Sequence, residues 1–387
     1  MGKTGWNLIH NALNIVLAIW MLEEVYHNVS LFDDLRSAAP LMIALLLIFM
    51  ISNLIGIPKI VGIFLLIQKL GKLIGGLLSG YSFVYFQLGQ TRYIKINGKL
   101  IRRNYPKSLS ETSLMMDPPD KGPDRYPYRL YMLGEALILF VFAAIGFTLY
   151  YLTGRSPVPF CFFYIPSFFS ALLFFGHILP LYRNNFMTNS YQVFKVFPHD
   201  PSVKSAHYYL MKLQSLQAQA DHIEDIPQQL VQAVIDLEYS NPENMIVAQL
   251  LLLKADYLLT RKERVAAIEC YQAIRNSSIY QEMRMLAQFS LLLAELTGEC
   301  RKEEVEKLYD DDLKKSSIMN SGLSITKRLL YAYYLLHENN ESAAQEELRA
   351  FIDIVSDYQD PLIFTDEWDG IHEIEMKKYG KIITERV

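Results

Sequence analysis

Gln68, Lys69 and Lys72 interrupt an otherwise apolar segment, residues 60–78. Positions 68 and 72 are four residues apart and share one face of a helix, with Lys69 beside them. Gln is a poor metal ligand, and a protonated Lys has no lone pair to offer and repels a cation. A neutral Lys can act as a base, since burial lowers an ammonium pKa, but metal-assisted hydrolysis still needs the metal. A charge at the centre of a membrane helix costs about 2.5–3.5 kcal/mol on insertion scales, so Lys69 and Lys72 should find partners or reach headgroups. His177 lies near the end of the apolar run 160–180. No second His or carboxylate is spaced to join it, and it reads as a hydrogen-bonded structural residue. His10 and His27 read as interfacial. Cys161, Cys270 and Cys300 are too far apart for a Cys-based metal site or a disulfide framework and fit a reduced compartment.

The elements that must position these groups fall into two halves. The chain is 51% apolar and 20% charged, but the apolar residues concentrate before about residue 183 and the polar, helix-patterned ones follow from about 200. Runs at 39–57 and 60–78, broken at Gly56-Ile57-Pro58, and at 130–152 and 160–180, joined through Gly154-Arg155-Ser156-Pro157, reach the roughly 18 residues a bilayer span needs. Residues 8–22 are apolar but short and end at Glu23-Glu24, which suits a tilted span, an interfacial helix or an uncleaved anchor. The expected fold is mainly α: a transmembrane bundle of four to five spans with a β-hairpin insertion, then an all-α helical-repeat domain. The expected boundaries are an amino-terminal helix over 1–38, a membrane core over 39–200 with a loop at 80–129, and a soluble domain over 201–387.

The 80–129 loop carries nine Lys and Arg residues, whereas the opposite turns offer Lys59 and Arg155. The positive-inside rule therefore makes the loop and the carboxy-terminal domain cytoplasmic. Residues 81–88 and 91–103 alternate apolar and polar side chains, and Asn97-Gly98 is a type I′ hairpin signal. The candidate peptide-handling positions here are Tyr81, Phe83, Tyr85, Tyr93, Asn97 and Gly98, because an open strand edge accepts a peptide by β-addition; the alternative is a surface hairpin packed on the bundle. Ser113-Leu114-Met115-Met116-Asp117-Pro118-Pro119-Asp120 reads as an extended linker.

The run from Gln68 through Gly76 and Gly80-Tyr81-Ser82-Phe83 resembles the first core helix of the site-2-type intramembrane metalloproteases. There, His-Glu-x-x-His-x-x-x-Gly-x-x-x-Gly-Tyr-x-Phe supplies two zinc ligands and a general base. On that frame Gln68 and Lys72 stand for the ligands and Lys69 for the base. Leu130-Tyr131-Met132-Leu133-Gly134-Glu135 resembles the opening of the second core helix, with Leu139 where a family Asn would fall. Met187-Thr188-Asn189-Ser190-Tyr191 matches the run whose Asp is the third ligand, and Ser190 replaces that Asp. The resemblance thus implies the fold without its chemistry: no catalytic residue, no metal, no cofactor. It also places Glu135 at the depth of the metal, which leaves two readings: both Lys reach the cytoplasmic headgroups with Glu135 at the interface, which is preferred, or Glu135 pairs with Lys69 or Lys72 as a brace.

Beyond residue 200 the helix pairs 202–222/225–237, 251–259/265–274, 279–296/302–313 and 325–336/342–355 repeat at tetratricopeptide-like spacing, with Ala255, Leu258, Ala267, Tyr271 and Ile274 at core offsets. Tyr331, Tyr333 and Tyr334 read as core. Asp310-Asp311-Asp312 and the group Asp366, Glu367 and Asp369 read as solvated faces. Stacked hairpins form a groove for a helix or extended peptide. The leading expectation is a catalytically inactive membrane pseudoprotease whose partners are lipid and a peptide, protease or exporter. The others are a metal-independent hydrolase using Lys69 or Lys72, and a membrane-anchored repeat scaffold. Nothing in the chain marks a nucleic-acid partner.

Overall fold

The computed structural model describes residues 3–30, 57–105, 111–155, 157–183, 186–239, 241–319 and 322–385. It is mainly helical with a small four-stranded antiparallel sheet, and it separates into two compact units. One comprises Met1–Ser82, Arg125–Arg183 and Met187–Asp200; the other comprises Phe83–Asp124, Asn184–Phe186 and Pro201–Val387. The sheet therefore groups with the helices beyond residue 200, whereas the sequence places it within 39–200.

The first unit holds α1 (Lys3–Ser30), α2 (Ile57–Leu78), α3 (Tyr128–Leu152) and α4 (Phe160–Ile178). By length and composition α3 and α4 can cross a membrane, with mean hydropathies of 2.2 and 1.6. Two described helices thus meet that test where four to five spans are expected; the run at 39–57 lies outside the described residues but for Ile57. Both α3 and α4 are only 33% buried over their apolar windows. Phe140, Val141, Ile145 and Leu149 of α3 and Phe169 of α4 face outward.

Aromatic packing and one buried carboxylate join α1 to α3 and α4. Leu17, Tyr150, Phe160, Cys161, Tyr164 and Phe168 form a core cluster. Glu24, 2% exposed, accepts from Tyr150 Oη at 2.8 Å, Tyr151 Oη at 3.3 Å and Arg155 Nη2 at 2.7 Å. Arg155, which the sequence reading counts as a loop charge, is thus neutralised by α1.

In the second unit the strands β1 (Ser82–Gly89), β2 (Thr91–Ile96), β3 (Lys99–Asn104) and β4 (Glu111–Asp117) stand in the order β3-β2-β1-β4. Asn97 (φ 50°) and Gly98 (φ 80°) both occupy the left-handed region, so the Asn-Gly pair closes the β2–β3 hairpin as a type I′ turn. A second turn at Gly89-Gln90 closes β1 against β2. The segment expected as a linker forms β4 up to Asp117, because Leu114 and Met116 alternate into the interior. Pro118 and Pro119 end it.

The helices beyond residue 200 follow as pairs. They are α5 (Pro201–Gln219) with α6 (Gln228–Asp236), α7 (Met245–Thr260) with α8 (Arg264–Arg275), and α9 (Gln281–Thr297) with α10 (Lys302–Leu308). After α11 (Asp311–Met319) come α12 (Ser324–Ala332) with α13 (Glu341–Val355), and then α14 (Pro361–Tyr379). Ala255, Leu258, Ala267, Tyr271 and Ile274 are all buried.

Of the acidic runs, Asp311, Asp312, Asp366 and Asp369 are solvent-exposed as expected, whereas Asp310 is half-buried and Glu367 is buried. The helix expected over 302–313 stops at Leu308, because Asp310 Oδ1 accepts from Leu313 N at 2.9 Å and opens α11. Asp311 and Asp312 then sit in its first turn, where the helix dipole favours negative charge. Glu367 is not solvated: it is 9% exposed, accepts from Ser324 Oγ at 2.7 Å and lies 3.5 Å from Arg328 Nη1. Of the three tyrosines read as core, Tyr331 is buried; Tyr333 and Tyr334 are half-buried.

Asp256 supplies a pH test of this unit. It is reachable by solvent but recessed among packed atoms, and that desolvation pushes its carboxyl up to about 6, against the lowering effect of the Tyr271 hydroxyl that donates to it at 2.7 Å. The folded state therefore holds a proton that the unfolded chain has lost between the ordinary carboxyl pKa and about 6, and stability falls as pH rises through that window. Asp256→Asn should flatten this fall, a difference of about 1 kcal/mol or less after solvent screening, measured by thermal unfolding at several pH values.

Candidate functional site

Helix α2 ends at a glycine that the chain needs there. Gly80 has φ 83°, Tyr81 N bonds to Gly76 O at 2.9 Å and Gly80 N to Leu77 O at 3.1 Å, the Schellman arrangement that stops a helix. Tyr81 is thereby delivered onto Tyr131, ring centroids 4.5 Å apart and nearly parallel. The Lys72 ammonium lies 4.8 Å from the centroid of that same Tyr131 ring, within cation–π range.

One turn away, α2 and α3 touch backbone to backbone. A Cβ on Gly71 would fall 2.3 Å from Gly134 O, one on Gly134 would fall 2.4 Å from Gly71 O, and one on Gly75 would fall 2.4 Å from Leu130 O. Small residues four apart permit such an approach between membrane helices. The signal, Gly71-x-x-x-Gly75, is present in the sequence and was not read there. Gly71→Ala should cost about 1–3 kcal/mol through overpacking. Gly62→Ala, whose Cβ would meet open space, should be neutral or slightly stabilising on helix propensity. Thermal unfolding in detergent separates the two.

At this crossing Lys69 Nζ donates to Glu135 Oε1 at 2.7 Å. The side chains are 20% and 9% exposed, so the pair is largely withdrawn from solvent. Lys72 and His177 also lie within electrostatic range of Glu135. His177, expected to stand alone, therefore shares one neighbourhood with a carboxylate and two ammonium groups. Gln68 is buried on the same helix. The Lys69–Glu135 contact brings together two residues 66 apart in sequence.

Ser190 is fully buried and its hydroxyl is engaged by the backbone: Oγ donates to Leu179 O at 2.6 Å and lies 3.0 Å from Thr188 Oγ1. Thr188 in turn accepts from Tyr191 N at 3.3 Å, capping the short turn that follows. Next to Ser190, Asn189 Nδ2 reaches Met132 O at 3.4 Å, one turn of α3 before Glu135. Among the described residues no group of three or more His, Cys, Asp or Glu side chains converges. A buried glutamine, two lysines and a serine committed to backbone bonds do not fit a zinc ion, which takes Cys, His or carboxylate donors.

The candidate peptide-handling residues do not converge. Tyr81 lies in the first unit, against Tyr131. In the second unit Phe83 is half-buried, Tyr93 is exposed, and Asn97 and Gly98 form the turn. Tyr85 belongs to a charged clasp that sequence reading missed: the Arg92 guanidinium lies 4.2 Å from the Tyr85 ring centroid and 4.1 Å from that of Tyr105. Tyr105 Oη donates to Asp360 Oδ2 at 2.7 Å, and Arg103 Nη1 and Arg92 Nη1 lie 3.5 and 3.9 Å from the same oxygen. Burial, and then the Asp360 charge, raise the Tyr105 pKa, so the phenol keeps its proton and donates it. A second clasp ties β4 to α5 through Lys212, 2.9 Å from Asp117 and 2.6 Å from Asp120.

Comparison of the chain with protein-family models, with curated proteins and with solved structures returns no match.

Proposed function

We propose that the first unit is a metal-free counterpart of an intramembrane protease core, and that the protein binds a peptide or protein partner at the membrane rather than cleaving one. The observation that carries the reading is the Lys69–Glu135 ion pair. It lies where the resemblance to site-2-type proteases puts the zinc, between the helix bearing the degenerate His-Glu-x-x-His frame and the helix opening Leu130-Tyr131-x-Leu133-Gly134. An internal salt bridge there supplies the cross-link between helices that a metal would otherwise give. The Lys69 amine is engaged with Glu135, which argues against Lys69 as the base of a metal-independent hydrolase. The outward apolar faces of α3 and α4 fit a multi-pass membrane protein, and the basic residues of the 80–129 segment favour a cytoplasmic second unit.

A membrane-anchored scaffold is the second reading. It is favoured by the grouping of the sheet with the helical repeats through the Asp360 and Lys212 clasps, which makes the second unit a sizeable body in its own right.

Restoration tests the first reading. The quadruple change Gln68→His, Lys69→Glu, Lys72→His and Ser190→Asp should confer about one zinc per chain, read by elemental analysis on the monodisperse protein in detergent. A well-folded variant that gains no zinc would contradict the placement of these four positions around one site.

A further inference from the structure

A pocket of about 640 Å³ opens on the repeat unit between the end of α6, the loop after it, α7 and α8. Its floor is apolar, with the buried Leu251 and Leu258 from α7 and the half-buried Ala266 from α8 and Ile235 and Leu237 from the α6 end. Four carboxylates, Asp236, Glu238, Glu263 and Glu269, also line it, and all four residues are solvent-exposed. Its single basic lining residue is Lys254. That ammonium turns inward, donating to Leu237 O at 3.3 Å and lying 5.1 Å from the Tyr239 ring centroid. Among the described residues no Lys or Arg forms an ion pair with any of the four carboxylates.

The neighbouring arginines are committed elsewhere. Arg261 reaches Gln232 and Gln228, and Arg264 donates to Ala294 O and Thr297 Oγ1. The rim therefore carries excess negative charge around an apolar floor. We infer that this pocket is a docking site for a basic peptide segment of a partner protein, one that inserts an apolar side chain between flanking Lys or Arg residues. The apolar floor takes the anchor and excludes water; the rim supplies charge complementarity, which sets specificity and association rate. The inference is independent of what the membrane helices do.

The test uses the full-length protein in mild detergent and a fluorescein-labelled peptide Lys-Arg-Leu-Phe-Lys-Arg, followed by anisotropy, with Glu-Glu-Leu-Phe-Glu-Glu and Lys-Arg-Ser-Ser-Lys-Arg as comparisons. The basic apolar peptide should bind, more weakly as salt rises, and the other two at least roughly tenfold more weakly. Glu263→Lys with Glu269→Lys should reduce binding by about tenfold or more. Both positions are exposed, so the variant should stay folded, with only a small drop in thermal stability from placing a positive charge at the N-cap of α8. Ala266→Phe, which fills the pocket and keeps its charge, should also abolish binding. No binding by the basic apolar peptide would overturn the inference. So would binding that the charge reversals weaken and Ala266→Phe leaves intact, since that is attraction to an acidic surface without a pocket. Preference for the acidic peptide, or equal binding of the Ser-containing one, would overturn it as well.

Discussion

Glu135→Gln should lower the stability of the detergent-solubilised protein by roughly 3–5 kcal/mol, the usual cost of removing one partner from a buried ion pair. The loss comes less from the missing attraction than from the Lys69 ammonium it strands, since that side chain is 20% exposed and its ion-pair partner among the described residues is Glu135. Lys69→Gln should be similarly damaging, because it leaves a carboxylate on a side chain 9% exposed. Lys69→Met combined with Glu135→Leu should recover most of the loss, because an apolar pair of similar volume avoids the desolvation of both charges. Lys72→Gln should cost less, about 0.5–1 kcal/mol, since its described contact is a cation–π one with Tyr131. The four variants are compared by thermal unfolding. If Glu135→Gln is silent while Lys72→Gln is damaging, Glu135 braces neither lysine and the pairing fails.

The second large effect belongs to Asp360. Asp360→Ala should destabilise the repeat unit by roughly 3–5 kcal/mol, because the residue does three things at once. It accepts the Tyr105 hydroxyl, it faces the Arg103 and Arg92 guanidinium groups, and its Oδ1 accepts Ile363 N at 3.4 Å as the N-cap of α14. The cap alone is worth about 1 kcal/mol. Asp360→Asn keeps an oxygen for the cap and for Tyr105 but removes the charge, so it should fall between wild type and Asp360→Ala. Limited proteolysis should show α14, which carries the buried Trp368, cut first in Asp360→Ala. Equal stability of all three proteins would mean that the clasp contributes nothing.

Local rules made much of this legible in the sequence. Asn97-Gly98 announced its turn because a type I′ hairpin needs two positive φ values that few residues adopt. The helix pairs beyond residue 200 were readable because each buries one periodic stripe, with Ala255, Leu258, Tyr271 and Ile274 fully inside. The Lys69–Glu135 contact was reachable only because two motifs were aligned on a family frame; composition alone could not join residues 66 apart.

What sequence did not give depends on contacts between distant segments. Asp360 precedes Pro361 and caps α14, but nothing local says that Tyr105, Arg92 and Arg103 gather on its carboxylate. Glu367 looked like one of a run of surface acids because the Arg328 that faces it is 39 positions earlier. The segment before Pro118-Pro119 looked like a linker because proline density outweighed the alternation of Leu114 and Met116, which tertiary packing then used as a strand.

Elemental analysis of the purified full-length protein, extracted in mild detergent without chelator, tests the central claim most directly. The brace at Lys69–Glu135 predicts zinc well below one equivalent per chain, unchanged in Lys69→Gln and Glu135→Gln. About one tightly held zinc per chain would mean that other residues supply the ligands, and the protein should then be assayed as a protease.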